Sequence, residues 1–213
     1  MPSTRTPSSG TAGRGRPPMS DRRKHIVRTQ IAHAAVELFT AQGVSATTGD
    51  DIAHRLGIST RTLWRYFPSK ESCVRPLLTG GLDLMAERLR SWPPELSLPA
   101  HLERSAALDE DAEAASVTSM IDLIRMTRTE PGLRAVWLDV HHRAEEVFAE
   151  AIADRAGLPA DALSVRVRAA AINVALRVAA ERFADRGRDD EDMAGLIRAA
   201  LEVVDDGLGP IAR

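Results

Sequence analysis

Helix stop and start signals crowd the stretch between Gly43 and Pro68. Gly43 stands where a left-handed residue would end a first helix that begins near Asp21 and carries Val27, Ile31, Ala35, Leu38 and Phe39 at helical spacing. Thr47 or Thr48 caps a short second helix whose first turn holds Asp50 and Asp51, where the helix dipole favours them, and Gly57 ends it. Ser59 opens a third helix that turns Leu63 and Phe67 inward, and Pro68 closes it because the residue before a proline leaves the α region. Ala53 lets the two short helices cross closely, with Ile52, Leu56, Ile58 and Leu63 filling the space between them. Two short helices joined at Gly57-Ile58, with a third bracing them from the N-terminal side, form a helix-turn-helix at residues 48–67.

The remainder is predicted to be helical as well. Only 4 % of the residues are aromatic and helix formers fill nearly every window, so the chain is expected to be all-α with about nine helices. Ser69 is expected to cap a long fourth helix reaching about Arg90, and Pro93, Pro94 and Pro99 mark a break. Five more helices follow: about 100–108, about 111–129, Pro131 to Gly157, near Pro159 to Gly187, and about 190–207. Three units result: a disordered arm at 1–20, rich in Ser, Thr, Pro and Gly, a helix-turn-helix head at 21–75 and a body at 76–213.

A net charge of −2 conceals an asymmetry: residues 1–75 hold twelve Lys/Arg against five Asp/Glu, and residues 76–213 hold sixteen against twenty-five. A basic end suits a phosphate backbone, and an acidic remainder keeps that contact oriented. No apolar run approaches the roughly 20 residues of a membrane span, and the first twenty residues lack the apolar stretch of a signal peptide, which places the chain in the cytoplasm.

The same residues argue against an enzyme. The sequence has no Gly-rich phosphate loop, no nucleophile elbow and no His/Glu pair at metal spacing, so no catalytic residue, metal or cofactor is expected. His141 and His142 are adjacent and would point about 100° apart on a helix. Cys73 is the single cysteine, which excludes an internal disulfide. Its place near a helix N-terminus would favour a thiolate, although a buried inert thiol is the expectation.

The outer face of the third helix gathers the donors that nucleic acid requires. Thr60, Arg61, Thr62, Arg65 and Tyr66 offer hydroxyl and guanidinium groups, and Trp64 adds a flat apolar edge. Lys70, a cation in the first turn of the expected fourth helix, lies against the macrodipole and calls for an anion such as phosphate.

The run Thr47-Thr48-Gly49-Asp50-Asp51-Ile52-Ala53, then Leu56-Gly57-Ile58-Ser59, then Arg61-Thr62-Leu63-Trp64-Arg65-Tyr66-Phe67-Pro68-Ser69-Lys70-Glu71, resembles the DNA-binding signature of the TetR/AcrR regulator family. The resemblance implies phosphate contacts from Thr48, Tyr66 and Lys70, base or sugar contacts from Thr60, Arg61 and Thr62, and a contact from Trp64 where the family usually has Tyr. Thr47, Ser59 and Arg65 complete the expected DNA-facing set. Gly49 and Trp64 are two departures from the family pattern, the first expected to loosen its turn, the second lacking the phenolic hydroxyl. In the arm, Arg14-Gly15-Arg16-Pro17 resembles an AT-hook core, which would lay Arg14 and Arg16 in a narrow minor groove; the alternative is a merely electrostatic tail acting with Arg22, Arg23, Lys24 and Arg28. The resemblance further implies a ligand-responsive repressor that binds a palindromic double-stranded operator as a homodimer; an activator or architectural factor without a ligand is the alternative.

Dimerisation and ligand binding fall to the body. On the helix from about 161 to 186, Leu163, Val167, Ala170, Val174 and Val178 share one side, while Val165, Ala169, Ile172, Leu176, Ala179 and Phe183 share the other. One face packs within its own subunit. The second set, with Leu196, Ala200 and Val203 of the last helix, is expected to be the seam of a four-helix bundle between two subunits, the arrangement the resemblance implies. Met85, Met120, Ile124, Trp137, Val140, His141 and Phe148 are expected to line a cavity for an apolar or amphipathic effector, with Asn173 and Arg177 as polar anchors one turn apart. Through Glu130-Pro131-Gly132-Leu133 and Trp137, the body is similar to the branch of the family with an acyl-CoA-like ligand-binding domain.

Overall fold

A computed structural model describes residues 21–106, 114–186 and 192–205, which form nine α-helices and one 3-10 turn with no strand among the described residues. The helices are α1 (Asp21–Gln42), α2 (Gly49–Arg55), α3 (Thr60–Tyr66), α4 (Arg75–Arg90), α5 (Leu98–Ala106), α6 (Ala114–Thr129), α7 (Pro131–Ala156), α8 (Leu163–Arg186) and α9 (Met193–Asp205), with the 3-10 turn at Glu71–Val74. The arm at 1–20, including Arg14 and Arg16, lies outside the described residues. No helix among the described residues is long and apolar enough to cross a membrane.

Local chemistry sets the boundaries. Gly43 and Gly57 adopt φ of +85° and +64°, the left-handed conformation that glycine reaches without a Cβ penalty, and they end α1 and α2 as expected. Thr48 caps α2 through a reciprocal box: its Oγ1 accepts from the Asp51 amide at 3.2 Å, and the Asp51 carboxylate accepts from the Thr48 amide at 2.7 Å. Ser59 caps α3 by accepting from the Thr62 amide at 3.1 Å.

The fourth helix departs from expectation, because it does not run unbroken from Ser69. Ser69 and Ser72 exchange hydrogen bonds, amide to hydroxyl, at 3.0 and 3.2 Å, which closes a tight turn before the helix proper begins at Arg75. Pro76 explains the restart, since a proline further inside a continuous helix would remove a ladder bond and clash with the preceding turn, whereas it is tolerated in a first turn.

Two apolar clusters hold the molecule together. One runs without a break from the head into the body, joining Ile31, Phe39, Ile52, Leu63 and Phe67 to Val74, Leu123, Leu133 and Trp137. The other fills the far end with Met85, Leu89, Phe148, Ile152, Val165 and Ile172. Each fully buried Leu, Ile or Phe here contributes about 1.5–3 kcal/mol relative to exposure. Polar ties reinforce the packing: Arg75 donates to Asp139 at 2.6 Å, fastening the start of α4 to α7. Arg155 stacks over Trp92 at 3.8 Å and donates to the Trp92 and Pro94 carbonyls, which makes the proline-marked break a pinned loop.

Candidate nucleic-acid interface and ligand cavity

The buried side of α3 is anchored by Leu63, which leaves Arg61, Trp64 and Arg65 on the outer side, all exposed, with Tyr66 half-buried beside them. The Arg65 guanidinium lies over the Tyr66 ring, 5.3 Å from its centroid, where the electron-rich face holds the cation. Around this face the hydroxyls are pre-arranged. Ser59 Oγ and Thr62 Oγ1 share a hydrogen bond at 2.8 Å, Thr60 Oγ1 donates to Asp50, and Thr48 Oγ1 donates to Asp51 at 2.7 Å. Thr48 holds the Asp51 carboxyl below the usual range through its hydroxyl and then its amide, so the cap stays ionised. Thr60–Asp50 crosses from α3 to α2, a staple that neither helix's own pattern reveals.

Two expected contacts change role. Thr47 is fully buried, donating to the Gly43 carbonyl at 2.8 Å and accepting from Gln42 Nε2 at 3.3 Å, so its side chain braces the α1–α2 loop and does not face DNA. The Lys70 ammonium donates to the Val44 carbonyl at 2.6 Å and the Thr47 carbonyl at 2.8 Å. The negative partner that its position calls for is therefore the loop backbone, and two of its three N–H donors are engaged within the chain.

Gly49 and Trp64 are likewise one feature. The indole covers the Gly49 backbone so closely that a Cβ there would meet the ring, which leaves 43 % of Trp64 exposed on the outer side.

A cavity of about 230 Å³ opens between α4, α6, α7, α8 and α9. Met85, Met120, Ile124, Trp137 and His141 line it, and Leu78, Leu82, Arg88, Met193 and Ile197 complete much of the wall. Val140, Phe148, Asn173 and Arg177 do not; Val140 is buried in the cluster that joins head to body. Phe148 is fully buried in the far cluster. Asn173 stands behind His141, its Oδ1 2.7 Å from the imidazole Nδ1 and its Nδ2 donating to Glu145 at 3.0 Å. Arg177 donates to Glu181 at 3.1 Å, and Glu181 also accepts from the Trp137 indole at 2.9 Å. The two intended anchors do share a face of α8, but Asn173 is engaged by His141 and Glu145 of α7 and Arg177 by Glu181 of α8 itself. His141 is only 4 % exposed, its Nε2 has no hydrogen-bond partner among the described residues, and burial holds its pKa below the ordinary imidazole value. An orphaned acceptor of this kind costs about 1–3 kcal/mol.

The expected dimer seam turns inward. Val165, Ala169, Ile172, Leu176, Ala179 and Phe183 are all buried within the single chain, as is Leu196; Ala200 is half-buried, and of that set only Val203 stands exposed. Leu176 lines the cavity instead. The opposite stripe faces outward: Leu163, Val167, Val174 and Val178 are between 45 and 80 % exposed. Periodicity identifies two apolar faces on such a helix but does not say which one the rest of the chain covers.

Cys73 is buried, and burial pushes its thiol up to about 12, far from a reactive thiolate.

Comparison with known proteins agrees with this geometry. Residues 31–77 match the family described as "Bacterial regulatory proteins, tetR family", and residues 102–209 match "MftR C-terminal domain". The chain is 28 % identical over 164 residues to the HTH-type transcriptional regulator TcmR of Streptomyces glaucescens, covering 74 % of this chain and 72 % of TcmR. It is 45 % identical over 56 residues to the HTH-type transcriptional repressor KstR2 of Rhodococcus jostii, covering 26 % of this chain and 28 % of KstR2. In fold, it resembles the fatty acid degradation regulator FadR from Bacillus halodurans, with a TM-score of 0.51 at 18 % identity over 85 % of this chain and 96 % of that one.

Proposed function

Because the chain belongs to the TetR family of DNA-binding transcriptional regulators, we propose that it is a cytoplasmic, ligand-responsive repressor that grips a palindromic operator as a homodimer. The observation that carries this reading is the exposed Arg61, Trp64 and Arg65 face of α3, set on a rigidly capped head. An arginine there can meet guanine O6 and N7 together, while Thr48 and Tyr66 reach phosphates and Lys70 positions the loop that carries Thr48. The arm at 1–20 adds Arg14 and Arg16 as minor-groove contacts.

A single head reads few base pairs, so two heads about 34–36 Å apart are needed, and the outward stripe of α8 is the surface that would join them. That stripe, with Val203 of α9, supports a four-helix bundle across a two-fold axis. Repression is favoured by the short, strong likeness to the repressor KstR2. Ligand response is favoured by the cavity, whose wall includes α4, the helix tied to the head through the 3-10 turn. A ligand acts there only to the extent that it prefers one arrangement of head and body.

Selection of bound duplexes from a random pool by the full chain tests the reading. A two-fold symmetric motif is expected; failure of any duplex to enrich would overturn it.

A further inference from the structure

Arg88 and His141 are the polar side chains of an otherwise apolar cavity wall, and of the two only the imidazole has an acceptor to offer a ligand. Three links fix that acceptor. Asn173 Nδ2 donates to Glu145, so the amide oxygen is the atom that faces His141. An oxygen acceptor 2.7 Å from Nδ1 requires the imidazole to carry its proton there. In a neutral ring Nε2 is then a bare acceptor, and it has no partner among the described residues. The ring is held in place by an edge-on contact with Trp137, whose centroid is 4.2 Å away.

Resting on the ligand-responsive reading above, we propose that this cavity selects an apolar molecule bearing a hydrogen-bond donor, a hydroxyl or an N–H, and seats that donor on Nε2 of His141. A ligand with only acceptors leaves the acceptor unsatisfied; one with a donor removes that cost, and this difference is the basis of selection. Burial keeps the ring neutral and so keeps the acceptor available near neutral pH. Met85, Met120 and Met193 in the wall have the rotatable bonds to make way for a donor approaching Nε2. The volume sets the size. A cavity of about 150 Å³ holds benzene, so about 230 Å³ accepts a fused bicycle.

Indole and indene test this directly, because they match in shape while indole carries an N–H and indene a methylene. Calorimetric titration of the full chain is expected to give at least about tenfold tighter binding of indole, and nitrogen NMR of histidine-labelled protein is expected to show the His141 Nε2 resonance moving upfield with indole alone. His141→Phe is expected to bind the two probes equally. Equal binding to the wild type, a preference that survives in His141→Phe, or an unmoved Nε2 resonance would overturn the donor requirement while leaving the cavity as a binding site. If neither probe binds the wild type, the cavity reading itself falls, and the proposal with it.

Discussion

The indole of Trp64 on α3 lies over the backbone of Gly49 on α2, so closely that a Cβ on residue 49 would stand 2.1 Å from Cζ2 and 2.5 Å from Cη2. The two departures from the family pattern are therefore a matched pair. Gly49 gives up helix propensity and leaves open the space that the indole occupies against α2.

Gly49→Ala is expected to destabilise the protein by about 1–2 kcal/mol through overpacking against the indole. In a Trp64→Ala background the same change is expected to stabilise by several tenths of a kcal/mol, because only the backbone entropy term remains. Urea unfolding of the four chains measures this, and the sign reversal is the diagnostic. Additive effects would mean that the two residues are not coupled.

Lys70 is expected to be a structural residue first. Lys70→Met removes two charge-assisted bonds to the Val44 and Thr47 carbonyls and is expected to cost about 1.5–3 kcal/mol. Arg61→Ala, on an exposed face, is expected to change stability by less than about 0.5 kcal/mol. Equal thermal midpoints for wild type and Lys70→Met would contradict this role.

Much of the head is legible from its residues because its determinants are local. Caps at Thr48 and Ser59 and left-handed glycines at 43 and 57 act within a few residues of where they stand. What the sequence hides depends on distant partners. Lys70 looks like a cation awaiting phosphate until Val44, 26 positions away, is seen to meet it. Asn173 and Arg177 look like ligand anchors until α7 presents His141 and α8's own Glu181 to them. For α8, both stripes are apolar, and the packing of α6, α7 and α9 decides that Val165 and Ile172 go inside and Val167 and Val174 remain outside.

That assignment predicts opposite outcomes for the two faces. Val167→Glu combined with Val174→Glu is expected to yield a folded monomer, because both side chains are exposed in the single chain and acquire like charges across the two-fold axis. Ile172→Glu is expected to unfold the chain by placing an unpaired charge in the core. Sedimentation and circular dichroism distinguish them; a persistent dimer in the first variant would remove the α8 stripe from the interface.

Cys73 gives a pH signature. Its folded value of about 12 lies above the ordinary 9.0, so the folded chain favours the protonated thiol. That preference is fully present below pH 9.0 and is lost as pH rises from 9.0 towards about 12, where the unfolded chain ionises first. Cys73→Ala is expected to flatten the alkaline decline in stability, and in the native protein the thiol is expected to resist alkylation at pH 8. Rapid modification under native conditions would show that the thiol is not enclosed.

The outer face of α3 is the surface expected to read the operator. Fluorescence anisotropy of wild type and Arg61→Ala against the selected duplex and a scrambled one of equal length measures what that face reads. The expected result is about 10–100-fold weaker binding of Arg61→Ala to the selected duplex, with scrambled DNA almost unaffected. Equal loss on both duplexes, or no loss on either, would contradict it.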